Sequence, residues 1–230
     1  MIAFICPMPM ELRPLRRRLR LRKSDLGYVG EIDGRAVIAS VGGIGTARAH
    51  AATVRLLDAV DVEWLIIVGI TGALDDETPI GTLVLPDRVV NGADGSQYRP
   101  KPLPLGDAHG ALWTTDKVLV DPAVHARLRA RGVISLDMET AAIAKVCDER
   151  GVPWSVVRAI SDRAIDGSVN AEIIGLCYPD GRVNYLAVAR YLISHPVAVP
   201  RLVRLARGSK LAIERAADAA IRGLAKSFPR

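Results

Sequence analysis

Hydrophobic positions fall in short runs along this chain, and the runs change period in a repeating order. IAFIC (2–6) is a continuous apolar run of strand length, and the proline-punctuated PMPMELRPLRRRLRLRK after it opens an amphipathic helix. GYVGEIDGRAVIAS reads as two strands joined at an Asp-Gly turn. VGGIG follows, then a helix with Ala49, Ala52, Val54, Leu56 and Leu57 on its apolar face. WLIIVGITGAL is a buried strand ending in a glycine turn, and TLVLPDRVV is another strand. Residues 91–111 hold Gly, Pro, Asp and Asn without periodicity, which predicts a long surface loop of the kind that covers a site. Beyond it LWTTDKVLV, VISLDM and VPWSVVRAIS read as strands, alternating with helices in PAVHARLRARG and ETAAIAKVCDERG. Leu202, Leu205, Ala206, Ile213, Ala217, Ile221, Leu224 and Phe228 then recur at helical steps, with Gly208 as a predicted break. Strands alternating with helices predict an α/β layered fold, and the early hairpin makes its sheet mixed.

Composition narrows this further. With 230 residues, half of them apolar and only two Phe, the chain suits a single domain, 1–230, around an aliphatic core. No uncharged apolar run reaches membrane-spanning length, so a soluble protein is expected. The N-terminus places its apolar run before its basic one, the reverse of a secretory signal, and reads as a first strand. Cys6, Cys147 and Cys177 are far apart and form no C-x-x-C, which points to neither disulfides nor zinc and suggests a cytoplasmic location. His50, His109, His125 and His195 show no ligand spacing, and no metal is expected.

The net charge of +6 is unevenly placed. Glu11 to Lys23 carries seven Lys/Arg against one acid, and His195 to Arg230 eight against two, so the second forms a basic helical C-terminal extension (about 195–230). Only leucine interleaves the arginines of RPLRRRLRLRK, which argues against nucleic acid. A solvated helix face, or peripheral contact with the inner face of a membrane through these basic ends, fits better.

In α/β sheets ligands lie beyond the carboxyl ends of strands, and chemistry-bearing residues stand at several such ends. They are Met10-Glu11, the glycines from Gly42 to Gly45, Gly69 to Gly72, Ser161-Asp162, and Met138-Glu139 at a helix start. Singly each has a plain structural explanation. Glu139 could complement a helix dipole with Asp137 as a cap, Asp162 could be a loop acid, and the glycines could permit tight turns.

Taken together, GGIGTARAHAA (42–52), VGITGAL (68–74), PIGTLVLPDRVV (79–90), LDMETAAIAKVCDERGVPW (136–154) and VVRAISDRA (156–164) resemble the purine nucleoside phosphorylase and nucleosidase family. ICPMPMEL, ISLDMETAAIAKVC and VPWSVVRAISD are similar to the methylthioadenosine/S-adenosylhomocysteine nucleosidases within it, and residues 178–212 resemble the C-terminal region of the hopanoid-associated phosphorylases. The resemblance implies a three-layer phosphorylase/hydrolase-like fold with a central mixed twisted sheet flanked by helices. It implies cleavage of the N-glycosidic bond of a 5′-substituted adenine nucleoside by a homodimer, without metal or organic cofactor. Inorganic phosphate would be the co-substrate if the reaction were phosphorolytic.

The same resemblance assigns roles. Asp162 would protonate N7 of the leaving adenine, with Ser161 orienting it, and Glu11 would position and deprotonate water. Glu139 would accept hydrogen bonds from the ribose 2′ and 3′ hydroxyls, and Met138 would pack on the sugar. Gly43, Gly45, Thr71, Gly72 and Val118 would contact substrate. Arg48, Thr46 and Arg13 are the candidates to cradle a phosphate. A carboxylate at position 11 disfavours a phosphate beside it by about 4 kcal/mol at 4 Å and an effective dielectric near 20, so water is the favoured acceptor. The chain departs from the family pattern in three places. Ile70 stands where a small serine is usual, Val118 where an aromatic stacks on the base, and Ile165 displaces the acid of the ISD motif to Asp166.

Overall fold

The computed structural model describes residues 1–119, 121–163 and 169–228. Its first element, β1 (Ile2–Cys6), is buried along its whole length, as a run without polar alternation requires. Helix α1 (Pro9–Arg18) follows, then β2 (Arg22–Ser24), β3 (Gly27–Ile32) and β4 (Arg35–Val41). The predicted Asp-Gly turn joins β3 to β4, with φ of 48° at Asp33 and 77° at Gly34, the left-handed pair that lets a two-residue hairpin match the strand twist. Helix α2 (Thr46–Ala59) leads to the ten-residue β5 (Trp64–Ala73), and β6 (Leu83–Val84), β7 (Arg88–Asn91), β8 (Gln97–Tyr98) and β9 (Ala111–Thr114) follow. Next come α3 (Pro122–Ala130), β10 (Val133–Asp137), α4 (Thr140–Glu149) and β11 (Trp154–Arg163). The chain closes with α5 (Ala171–Ile174), α6 (Tyr185–Ser194) and α7 (Val199–Ser227).

One mixed sheet holds every strand, in the order β2-β3-β4-β1-β5-β10-β9-β7-β8, with β11 and β6 branching from β5. Alternate side chains of each central strand feed opposite faces. Phe4, Ile66, Val157 and Ala159 pack with the helix residues Leu12, Leu15, Ala216 and Ala220. Ala3, Ile5, Leu65, Ile67 and Val156 pack with Ala49, Leu56, Ile143 and Cys147. The sheet therefore lies between α1 with α7 on one side and α2 with α4 on the other, the three-layer arrangement that was expected.

The structure revises four details of the sequence reading. The C-terminal helix is one wall of the core rather than an extension, because a stripe of Ala212, Ala216, Ala217, Ala219 and Ala220 lets it approach the sheet closely. Gly208 does not break it: a Cβ there would lie 2.7 Å from the Ser161 carbonyl oxygen, so glycine marks where the helix crosses β11. The strand expected over 112–120 ends at Thr114, and Asp116 to Leu119 continue as loop. The loop over 91–111 contains β8, and it is anchored by Leu103 in the core and by Leu105 against Gly223 of α7. The basic ends, moreover, neutralise each other in part: Arg17 and Arg18 of α1 pair with Glu214 of α7 at 3.1 and 2.6 Å, and Arg18 also reaches Asp218.

Candidate active site

The site arises where the sheet forks. One edge of β5 pairs with β11 from Leu65 to Ala73. The other edge pairs with β1 up to Ile67 and with β10 only at Gly72 and Ala73. Between those partners the backbone of Ile70 has no strand beside it, and two charged side chains take the strand's place. Ile70 N–H donates to Glu11 Oε1 at 2.9 Å, and Ile70 C=O accepts from Arg158 Nη1 at 3.2 Å. A buried backbone pair left open by topology must be satisfied somehow, and here it holds an acid and a guanidinium in place. Gly69 makes room for both, since a Cβ there would lie 2.5 Å from Arg158 Nη1 and from Glu11 Oε1.

Around Arg158 three carboxylates converge. The guanidinium is fully buried, with Asp137 Oδ2 at 2.5 Å, Glu139 Oε2 at 3.7 Å and Glu11 Oε1 at 4.0 Å. Glu11 sits in the first turn of α1 and also accepts Met8 N–H at 2.7 Å, so its position is fixed from two elements. Asp137, at the end of β10, accepts Thr114 Oγ1 at 2.6 Å and Thr140 N–H at 3.0 Å, and so takes the helix-capping role for α4. Glu139 is thereby released from capping. Its carboxylate reaches the start of α2, where Gly45 N–H donates to Oε1 at 3.0 Å. Burial lifts the Glu11 carboxyl to about 7, against the pull of Arg158 and two backbone N–H groups. Burial, then repulsion from Asp137, lifts Glu139 to about 8. Burial opposes the charge on Arg158, but Asp137, Glu139 and Glu11 outweigh it and hold the guanidinium above its ordinary value.

The fourth acid is presented by a bulge. The β11 register slips between Ile160 and Asp162, so that Ile160 pairs with Thr71 and Asp162 with Gly72. Consecutive strand residues normally face opposite sides, but this slip lets Ser161 and Asp162 both line the cavity. Ser161 Oγ donates to Asp162 Oδ1 at 2.5 Å and orients it, while a Cβ on Gly72 would stand 3.3 Å from Asp162 Oδ2. Glu11 is anchored at Ile70 and Asp162 at Gly72, two residues along β5, which places them roughly 7 Å apart along that strand.

These groups share one cavity of about 390 Å³, large enough for a nucleoside. Of the residues singled out in the sequence, Glu11, Thr71, Gly72, Val118, Met138, Glu139, Ser161 and Asp162 line it. Gly43, Gly45 and the proposed phosphate cradle do not. Gly45 acts one step removed, by holding Glu139. Gly43 and Arg48 line a neighbouring cleft with Arg55, Asp180 and Arg182. Thr46 gives its N–H to Asp116 at 2.7 Å and its hydroxyl to the same carboxylate, and Arg13 is exposed on α1. Ile165 and Asp166 lie outside the described residues. Arg158 was the functional residue missed; the available signal was a full charge in the middle of an otherwise apolar central strand. The remaining walls are mostly apolar, from Ile173, Ile174, Leu176 and Val183 to Leu202 and Leu205 of α7, with Thr115, Lys117 and Ser209 as further polar lining.

A mixed forked sheet between helical layers, with acids gathered at its strand ends, defines an α/β enzyme of the nucleoside phosphorylase type of fold. Residues 1–107 and 101–194 match the phosphorylase superfamily. The chain belongs to that superfamily. A 5′-methylthioadenosine/S-adenosylhomocysteine nucleosidase of Tolumonas auensis is 31% identical over 168 residues, covering 60% of this chain and 73% of that protein. The nucleosidase of the same name from Marinomonas sp. is 29% identical over 167 residues, 60% of this chain and 72% of that one. Among solved structures, a Helicobacter pylori nucleosidase of that name has a TM-score of 0.74 at 15% identity, covering 98% of this chain and 97% of its own. The Helicobacter pylori futalosine hydrolase superposes as well, at 0.74 and 16% identity over 99% and 97%.

Proposed function

We propose that this enzyme hydrolyses the N-glycosidic bond of a 5′-substituted adenine nucleoside and releases adenine, without metal or organic cofactor. The observation that carries the reading is the convergence of Glu11, Glu139 and Asp162 on one cavity. Water adds to C1′ as the C1′–N9 bond breaks. The proton of Asp162 passes to N7 of the departing base, and a proton of the water passes to Glu11. Glu139 accepts the ribose hydroxyls with the lone pairs that Gly45 leaves open.

Water is favoured over phosphate by the charges that face the cavity. Among the described lining residues the acids are Glu11, Asp137, Glu139 and Asp162, and the cations are Lys117 and Arg158, the latter committed to carboxylates. Each unit of negative charge on a phosphate entering beside Glu11 would meet about 4 kcal/mol of repulsion per ionised carboxylate at 4 Å and an effective dielectric near 20. The Tolumonas and Marinomonas relatives are named as nucleosidases, which supports the same choice. For the 5′ substituent, the apolar wall formed by Leu176, Val183, Leu202 and Leu205 favours a thioether or a longer hydrocarbon group of the hopanoid kind over a charged one. Val118 in the loop after β9 gives no aromatic face, so affinity for the nucleoside rests more on Asp162 at the base and on that apolar wall at the 5′ substituent.

Product analysis tests this. Methylthioadenosine, S-adenosylhomocysteine and an adenosine with a long 5′-alkyl thioether are incubated with the protein, with and without inorganic phosphate, and the sugar product is weighed by mass spectrometry. Free sugar at an unchanged rate in both series is expected. A sugar 1-phosphate whose yield follows phosphate overturns the hydrolytic reading, and nucleoside binding without adenine release from any of the three overturns catalysis. Asp162→Asn should abolish release while the nucleoside still binds.

A further inference from the structure

Every large hydrophobic side chain that stays exposed among the described residues lies between Tyr178 and Leu211. Tyr185 is 75% exposed, Leu186 71%, Ile193 81% and Val197 90%, values ordinary for lysine but not for side chains of this kind. Helix α6 has no buried residue at all, and Leu186 and Ile193 stand two turns apart on one face of it. The exposed Val199 and Val203 continue the patch onto the first turns of α7. Six Arg and Lys residues are interspersed here against a single acid, Asp180, which Arg182 already holds at 2.7 Å. No other surface of the described structure combines contiguous apolar exposure with one sign of charge.

We propose that α6 and the first turns of α7 form a docking face for an anionic lipid bilayer. Leu186, Ile193, Val197 and Val203 would enter the headgroup and upper acyl layer, while Arg190, Arg204 and Arg207 meet lipid phosphates. Tyr178 and Tyr185 suit the boundary, with an apolar ring and a hydroxyl that stays wet. The charge selects this occupant over a second copy of the chain: two such faces brought together would set arginine against arginine, whereas protein interfaces deplete charge at their centre. The α7 part of the face lies within the basic C-terminal segment picked out by the sequence, whereas Arg17 and Arg18 of the N-terminal basic segment are turned to Glu214 and Asp218 further along α7. It is also one helix thick from the active-site cavity, because Leu202 and Leu205 line the cavity from the same turns of α7 that expose Val203.

The proposal stands on surface residues and is independent of the hydrolytic reading, so its test reads binding rather than turnover. The purified protein is sedimented with phosphatidylcholine vesicles, and with vesicles carrying about 30 mol% phosphatidylglycerol. Partition at least about tenfold higher into the anionic vesicles is expected, weakened by salt. Both the pair Leu186→Asp with Ile193→Asp and the triple Arg190→Glu, Arg204→Glu, Arg207→Glu should lose about tenfold in partition while keeping the parent thermal midpoint, since all five sites are exposed. Absence of vesicle binding by the parent protein overturns the proposal, as does unchanged binding by both variants. A dimer that the same substitutions convert to monomer, with no affinity for vesicles, would assign the face to a second copy instead.

Discussion

Arg158 concentrates the physical problem of this molecule at one residue. A guanidinium with no solvent exposure is tolerable only because Asp137, Glu139 and Glu11 surround it, and those acids are in turn tolerable only because it is there. Replacing it with Met should therefore cost about 3–5 kcal/mol in urea unfolding, the range for removing one partner of a buried ion pair, and should abolish adenine release. In the proposed mechanism Glu11 is the general base, a role best served by a pKa near the operating pH, and burial has brought this carboxyl to about 7. The base acts deprotonated, so the acidic limb of the kcat/KM profile for methylthioadenosine should rise with pH through about 7. Glu11→Gln should lose about a hundredfold to ten-thousandfold in kcat/KM and, with it, that limb of the profile. A variant that stays slow but keeps the same limb would locate the titrating base elsewhere.

Elements hold these residues through contacts that only glycine permits. At Gly69 a single methyl group would sit 2.5 Å from both charged side chains, so Gly69→Ala should destabilise by about 1–3 kcal/mol and depress turnover by displacing Glu11. At Gly208 the close neighbour is the carbonyl of Ser161, whose own side chain orients Asp162. Gly208→Val should push α7 away from β11, with turnover falling more steeply than the thermal midpoint. A control at an exposed α7 position, Arg204→Ala, should change neither. Between them these two glycines explain how a long C-terminal helix and a strand fork form one site: each close approach leaves no room for a Cβ, Gly69 against Glu11 and Gly208 against the residue before Asp162.

For the whole molecule, the raised acids make stability depend on pH in an uncommon direction. Carboxyl groups with a folded pKa above the unfolded one bind more protons when folded, so their contribution is full below about 4.5 and is lost as pH rises through 7 to 8. The thermal midpoint of Glu11→Gln, measured against the parent protein at pH 5 and at pH 8, should shift in the variant's favour at the higher value. An advantage for the variant that shrinks with rising pH would contradict the burial of Glu11. At the same scale, the molecule separates two uses of positive charge. Arg17 and Arg18 of α1 are spent on Glu214 and Asp218 of α7, while Arg190 of α6 and Arg204 and Arg207 of early α7 are exposed beside exposed leucine, isoleucine and valine.

Much of this was written in local pattern. The uniformly apolar IAFIC and WLIIV read as buried strands, Asp33-Gly34 as a tight hairpin turn, and acids at strand ends, weak signals singly, were given roles at Glu11, Glu139 and Asp162 by the family resemblance. Such features depend on residues within one turn or one strand of each other, and periodicity records them. Contacts between distant segments leave no such trace. Gly45 lies 94 residues from Glu139 and Arg158 88 from Ile70, so the release of Glu139 from its helix and the arginine that fills the fork were decided by folding alone. The same holds for Gly208, whose spacing in sequence reads as a helix break and whose place in space is a crossing. The sequence by itself determined the elements and the chemistry they carry. Only tertiary structure decided which groups would share one cavity, because burial and mutual charge, and with them the shifted acids, exist only once the layers have closed.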